Sequence, residues 1–374
     1  MRDEDPVHED PKIGGWIVTR YEDVVAVLDD KRFSAERLPL TDEGYGSARA
    51  MREALSSQLL FLDPPDHTRL RKLFAKAFTP RRLDTFKPQI EALTHELLSS
   101  CMGRATDFIH EFAVPLPVTV IALVLGVPTD DRLKLRGWSA AFGSLISGRP
   151  IRGSEVAQAL GGIAEFEDYF ARLIQVRRAA PEDDLLSDLI AAEEAGDRLS
   201  EQELIANLIL LLAAGHGTTT HFLGNGLLAL SREPALWQAM VADPALVPAV
   251  VSELLRFDTP VQVTGRKAIQ HVELAGRRIA EGARVRVVLG SANRDERHFA
   301  NPDSLDIHRE GTRTLSFGQG IHTCLGAVLA RVEAQIAFNA LVTRFPNLKV
   351  GSDLAERTSS VTFRGLQRLP VSLQ

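Results

Sequence analysis

Two cysteines stand in the 374 residues, Cys101 and Cys324, and only one has neighbours that suggest chemistry. Cys324 lies in LSFGQGIHTCLGAVLAR, behind Gly318, Gly320 and His322 and at the mouth of an apolar helix. A disulfide is not expected, because a chain with an acidic start, MRDEDPVHEDPK, and no apolar signal core is placed in a reducing cytosol. A zinc site would need further ligands close by, and a catalytic thiol would need a base. Gly318 and Gly320 remove side chains where the backbone passes close to something large and flat, and Gly326 does the same just after the cysteine. A thiol at the start of the helix LGAVLARVEAQIAF feels its positive end and unpaired N–H groups, which favour thiolate. A thiolate facing a flat, glycine-cleared surface is what an iron porphyrin requires of a protein. Cys101, in ELLSSCMGRA, reads as a small core hydrophobe.

The run Phe317, Gly318, Gln319, Gly320, Ile321, His322, Thr323, Cys324, Leu325, Gly326 resembles the haem-binding loop of the cytochrome P450 family. The resemblance implies a mainly α fold with a small β portion, a single large domain over 1–374, and haem b between a long central helix and the cysteine-loop helix. It makes Cys324 the iron ligand, with Phe317, Gly318 and Gly326 beside the cofactor. Glu253 and Arg256, in SELLRF, match the family's ExxR pair and share a helix face. Arg309 is expected to complete a buried, structural triad with them. His67 and Arg71, in LDPPDHTRLRKLF, lie at i, i+4 and point the same way. In the family these positions bind the haem propionates, as do those matching Arg266 and His322.

LLLAAGHGTTTHFLGN resembles the family's oxygen-binding segment. Ala214, Gly215, Thr218 and Thr219 match, and Gly217 stands in place of the usual acid, which relays protons from solvent. Three readings follow. Water, a polar group of the substrate, or His216 or His221 takes over the relay; the reaction needs less proton delivery, as in oxidative coupling or use of peroxide; or Gly217 merely enlarges the pocket. His216 lies two positions before Thr218, about 200° round the helix, and points away from it, whereas His221 is nearer that face. A water-assisted or substrate-assisted relay is preferred.

The resemblance runs from GGWIVTRYEDVVAVL to RFPNLKV. It implies a monooxygenase that inserts one atom of O2 into a C–H bond, or epoxidises C=C, in a largely hydrophobic small molecule, a secondary metabolite or its precursor. Nothing in the chain matches a flavin or nicotinamide motif, so a separate ferredoxin and ferredoxin reductase are expected to supply electrons. A substrate carried on an acyl carrier protein is a second form of the same reading. Arg69, Lys72 and Lys76 could form a docking patch, while Val261, Val263 and the loops at 40–60 and 142–153 would shape the pocket. A haem-based sensor without turnover and a cysteine hydrolase are the competing classes.

Positioning these groups falls to helices. Helical patterns cover 21–30, several segments of 64–126 broken at Thr79-Pro80, Lys87-Pro88, Pro115 and Pro117, then 154–178 and a long helix to about Ser231. Ser200 with Glu203 forms the capping-box pattern at that helix's start. Strand-like pieces fall at 15–19, 261–264, 271–274 and 284–289, which puts the β-rich part near 14–20 and 261–290. A mobile loop is expected at 38–47 and a glycine-rich interruption at 143–153. With 43 Lys+Arg against 49 Asp+Glu, the net charge of -6 offers no general attraction to nucleic acid or anionic lipid. The longest apolar run, 208–214, is too short to span a bilayer, so a cytoplasmic monomer is the default.

Overall fold

The computed structural model describes residues 1–38, 48–76, 78–146, 153–194, 199–309 and 313–373. The loop expected at 38–47 therefore lies almost wholly outside the described residues, as do parts of the two pocket loops. The main helices, in chain order, are α1 (Tyr21–Asp29), α2 (Asp66–Ala75), α3 (Lys87–Ser100), α4 (Pro115–Val124), α5 (Ser154–Ala179), α6 (Glu201–Leu230), α7 (Val247–Phe257) and α8 (Ala327–Arg344). Among the described residues no single helix is long and apolar enough to cross a membrane.

Local chemistry explains the helix starts. Pro80, Pro88 and Pro115 interrupt the pattern in the sequence, yet each stands in the first turn of a helix, where a missing N–H costs nothing. Thr79 caps the Pro80 helix by accepting the Arg82 N–H. The Ser200 capping box forms reciprocally: the Ser200 N–H donates to Glu203 Oε2 at 2.9 Å and the Glu203 N–H to Ser200 Oγ at 3.2 Å.

Contacts within the chain separate two compact units, one of Met1–Ser34, Lys87–Leu116 and Thr218–Gln374, the other of Ala35–Phe86 and Pro117–Gly217. Their boundary falls inside α6. In the first unit, β1 (Val7–Asp10), β2 (Gly15–Val18), β3 (Phe33–Ser34), β4 (Val263–Ala268) and β5 (Arg284–Val288) form one sheet in the order β1-β2-β5-β4-β3. Only the β2–β5 pairing is parallel. RVRVV alternates as a half-buried strand should, with Val285 and Val287 fully buried. Tyr21, Val24, Val27 and Leu28 of α1 join them in one apolar core with Val18 and Phe299. The acidic VHED is not legible as a strand, and it forms β1 because Val7 is buried in that core and the whole segment pairs with β2. In the second unit α5 carries the apolar face Val156, Ala159, Ile163, Phe166, Phe170 and Ile174, and the Arg177 guanidinium is buried against Asp184 at 2.7 Å.

A buried polar network in the first unit fixes the approach to the cysteine loop. Arg256 Nε and Nη2 donate to the two Glu253 carboxylate oxygens at 2.9 and 2.6 Å, and Arg309 Nε donates to Glu253 Oε1 at 3.3 Å. The expected triad is formed. Arg256 Nη1 also reaches the carbonyls of Asn293 and Pro302. The Asn293 amide, fully buried, accepts the Leu315 N–H at 2.7 Å and donates to Ser316 Oγ at 3.0 Å. Ser316 Oγ in turn donates to the Leu255 carbonyl on α7 at 2.6 Å. Asn293 thus ties the stem of the cysteine loop to the triad's helix.

Two predictions follow from this packing. Asn293→Ala leaves the buried Leu315 N–H without its acceptor, so a denaturant titration should show a loss of about 2–3 kcal/mol. Glu333, on α8, is fully buried, its Oε2 has no hydrogen-bond partner, and burial pushes its carboxyl well above the ordinary range. A carboxyl whose pKa is raised on folding contributes stability that is complete below the unfolded pKa and is lost as pH rises towards the folded one. Melting curves of Glu333→Gln against the parent should therefore favour the variant increasingly as pH rises above the ordinary carboxylate range.

Candidate functional site: the cysteine loop and the long helix

The cysteine loop is built by two left-handed glycines. Gly318 and Gly320 have φ of +72° and +70°, a region that L side chains rarely adopt. Gly320 is also required by contact, because a Cβ there would lie 2.7 Å from the Leu28 carbonyl oxygen at the end of α1. Gln319 Nε2 donates to Asp29 at 3.0 Å alongside. The Cys324 N–H donates to the Phe317 carbonyl at 2.8 Å, and Thr323 Oγ1 to the Gly320 carbonyl at 2.8 Å.

α8 begins at Ala327 with Gly326 as N-cap, so Cys324 stands just ahead of the first turn, a little further out than the apolar pattern suggests. Cys324 is exposed, as are Ile321 at 50% and Val328 at 36%, while Cys101 is buried as expected, and neither cysteine forms a disulfide. A Cβ on Gly326 would meet nothing within 4 Å. One residue near the thiol escapes the sequence reading. The Arg331 guanidinium lies 4.4 Å over the Phe317 ring, and burial holds it below its ordinary pKa while the charge of Cys324 acts in the opposite sense. Its position seven residues after Cys324, two helical turns on, was the available signal.

These residues suit haem rather than a bare metal ion. Among the described residues no group of three His, Cys, Asp or Glu side chains could hold a metal, so an ion at Cys324 must bring its other ligands with it, as iron in a porphyrin does. Within the same unit, Arg266 is buried on β4 and Arg266 Nη1 donates to the Gly265 carbonyl at 2.8 Å, while His322 is half-buried in the loop. In the second unit, His67 is buried and Arg71 half-buried on one face of α2.

α6 is helical without a break from Glu201 to Leu230. Ala214, Gly217, Thr218 and His221 share one face at i, i+3, i+4 and i+7. A Cβ on Gly217 would meet nothing within 4 Å among the described residues, and Ala214 is exposed. Gly215 looks elsewhere: its Cβ would fall 2.8 Å from Ile121 Cγ1, so α4 requires a glycine there for close approach. His216 Nδ1 is 3.0 Å from the Leu212 carbonyl oxygen, one turn back. The His221 ring packs on Gly365, where a Cβ would lie 1.9 Å from Nδ1. Thr219 is buried and Thr218 half-buried.

The structure adds partners to two of the expected features. Arg69 is committed to an ion pair with Glu203 and a second with Asp66 at 3.1 Å, so of the basic stripe only Lys72 and Lys76 remain as exposed cations. Val261 is half-buried and forms a bridge to Phe363, which brings the 358–365 segment into the neighbourhood of the proposed pocket wall. That segment carries no motif, and only the pairing partner reveals it.

Comparison with known proteins agrees with this geometry. The family model described as cytochrome P450 matches residues 154–362. Cytochrome P450 107B1 of Saccharopolyspora erythraea is 43% identical over 98% of this chain and 92% of its own length. The polyketide biosynthesis cytochrome P450 PksS of Bacillus subtilis is 38% identical, with 100% and 94% covered. Among solved structures, P450BioI in complex with an acyl carrier protein ligated to hexadec-9Z-enoic acid superposes with a TM-score of 0.93 at 36% identity, covering 100% of this chain and 96% of that one. A thiol presented by a glycine-built loop, a long helix with an open face, and relatives matched along nearly their whole length have one explanation: the chain belongs to the cytochrome P450 family and is a haem b monooxygenase.

Proposed function

We propose that this enzyme inserts one oxygen atom of O2 into a C–H bond, or epoxidises a C=C bond, of a largely hydrophobic small molecule of secondary metabolism or its precursor. The observation that carries the reading is the face of α6 formed by Ala214, Gly217 and Thr218, open at Gly217 and bearing one hydroxyl and no carboxylate. Apolar carbon can lie against such a surface without stranding a charge. The likeness to PksS supports a polyketide or a similar chain, and the P450BioI complex supports a carrier-bound acyl chain as an alternative form of the substrate.

When bound, haem supplies the binding and activation of dioxygen and the transfer of its oxygen atom. The chain's own residues do the rest. Cys324 would ligate the iron through its thiolate, and Phe317, Gly318 and Gly326 would shape the bed beside it. His67, Arg71, Arg266 and His322 would supply donors for the propionates, which need partners once partly desolvated. Thr218 holds water on the open face through its hydroxyl. Gly217 supplies no acid, Gly215 is turned to α4, and His216 bonds back to its own helix, so protons pass through water or a polar group of the substrate. Electrons come from a separate ferredoxin and its reductase, with Lys72 and Lys76 as the remaining cations of the docking stripe. The open position at Gly217 also favours a second reading, oxidative coupling or peroxide-driven oxidation, in which less proton delivery is needed.

Optical titration tests the reading. Hydrophobic candidates, free and carrier-bound, should shift the haem spin state, and those that do should gain one oxygen atom when a surrogate ferredoxin and reductase supply electrons. A haem spectrum without product from any spin-shifting compound would favour a sensor. Cys324→Ser should remove the thiolate signature of the ferrous carbonyl spectrum and abolish turnover. Thr218→Ala should leave substrate binding within about twofold while product per NADPH falls about tenfold, the balance appearing as hydrogen peroxide.

A further inference from the structure

The Thr218–His221 face of α6 ends against one turn of chain, residues 358–365. This turn caps a short antiparallel pair, Glu356–Arg357 with Leu366–Arg368, and closes on itself where the Thr358 N–H donates to the Gly365 carbonyl at 3.1 Å. On one side it is fastened to the chain entering β4. The Gln262 N–H donates to the Thr362 carbonyl and the Arg364 N–H to the Pro260 carbonyl, each at 2.8 Å, and Arg364 Nε donates to Asp258 at 2.7 Å. On the other side it meets α6, where Asn225 Nδ2 donates to the Arg364 carbonyl at 2.9 Å.

Those hydrogen bonds set the turn's direction, and a single steric contact sets its distance from the helix. The His221 ring fills the space that a side chain at Gly365 would occupy, with three of its atoms within 2.6 Å of that Cβ position. The Phe363 ring centroid lies 6.4 Å from that of His221, and Val361 at the tip is 52% exposed. Ring thickness therefore decides how far two apolar side chains, Phe363 and Val361, stand from the helix surface that carries Thr218.

We propose that His221 is a positioning residue for specificity: wedged between α6 and Gly365, its imidazole acts as a spacer that fixes the clearance between the 358–365 turn and the Thr218 face, and so the bulk of apolar substrate admitted there. The inference rests on the reading of that face as the place of reaction. A spacer makes an ordered prediction. Removing the ring in His221→Ala lets the turn settle towards α6 and narrows the clearance. Adding a methyl in Gly365→Ala forces the turn outward and widens it, and combining the two places the methyl where the ring was.

Iron-coordinating azoles of two sizes, imidazole and 4-phenylimidazole, are suitable probes in the haem-loaded full chain. The optical shift on nitrogen ligation gives each dissociation constant, and their ratio cancels changes in haem reactivity. Relative to the parent, the preference for 4-phenylimidazole should rise at least about fivefold in Gly365→Ala, fall at least about fivefold in His221→Ala, and return to within about twofold in the double variant. A merely structural role would weaken both azoles together and leave the ratio unmoved, which overturns the proposal, as would a double variant whose ratio stays at that of either single variant. Each single variant is informative alone, so poor folding of one leaves the other decisive. A parent protein without the thiolate-type ferrous carbonyl spectrum would instead overturn the reading of the site, while unchanged ratios with that spectrum intact refute the spacer alone.

Discussion

Everything at the thiol depends on how the Arg256 guanidinium is buried. A cation at 2% exposure has left water, and it is held there only because each of its five N–H groups finds an acceptor. Two go to Glu253, and the others to the carbonyls of Asn293, Pro302 and Ser304. Three of these five acceptors are backbone, so the ion pair does more than stabilise α7. It fixes the path of the chain from 293 to 304, and Asn293, in that path, fixes Leu315 and Ser316. Removing either charge would strand the other, a loss of about 3–5 kcal/mol. Position, more than stability, is what such a network supplies: the loop carrying Cys324 starts from a stem that cannot shift.

The same logic continues on the far side of the loop. Gly320 lies against the last turn of α1, where neither the Leu28 carbonyl nor Asp29 leaves room for a methyl, and α1 is anchored through Tyr21, Val24 and Val27 in the core of the five-stranded sheet. The Tyr21 N–H donates to buried Asp295 at 2.9 Å, in the segment that also holds Asn293. The sheet is small, yet it is the fixed body against which both flanks of the cysteine loop are set. A loop clamped at both flanks needs no regular structure of its own to present a sulfur atom reproducibly.

Much of this was legible in the sequence, for physical reasons that differ by residue. Ser200 and Glu203 announce a helix start because the capping box is local, and Glu253 with Arg256 announces a shared face because four residues suffice to form it. Cys324 and its glycines were readable for the same reason. Asn293 and Gly365 were not, since their roles depend on partners 22 and 144 residues away, at Leu315 and His221, whereas Arg331 lies only two helical turns after Cys324 and was open to the same local reading. Arg69 was readable only in part: its helical spacing is correct, but Glu203, which neutralises it, lies 134 residues on. Two-residue and three-residue strands carry too little pattern to register and form only because a partner is already in place.

The glycines of α6 show how packing separates two residues that look alike in sequence. A glycine inside a helix costs about 1 kcal/mol relative to alanine. At Gly215 the cost is offset, because Ile121 of α4 approaches to where any Cβ would collide. At Gly217 no neighbour within 4 Å among the described residues demands the absence of a side chain, and the family's usual carboxylate would meet no clash with them at its first carbon. Packing therefore accounts for one glycine and leaves the other without a structural reason. Under the proposed function, the bare position at Gly217, on the face of Thr218, is where substrate and water would share the surface and carry the proton path.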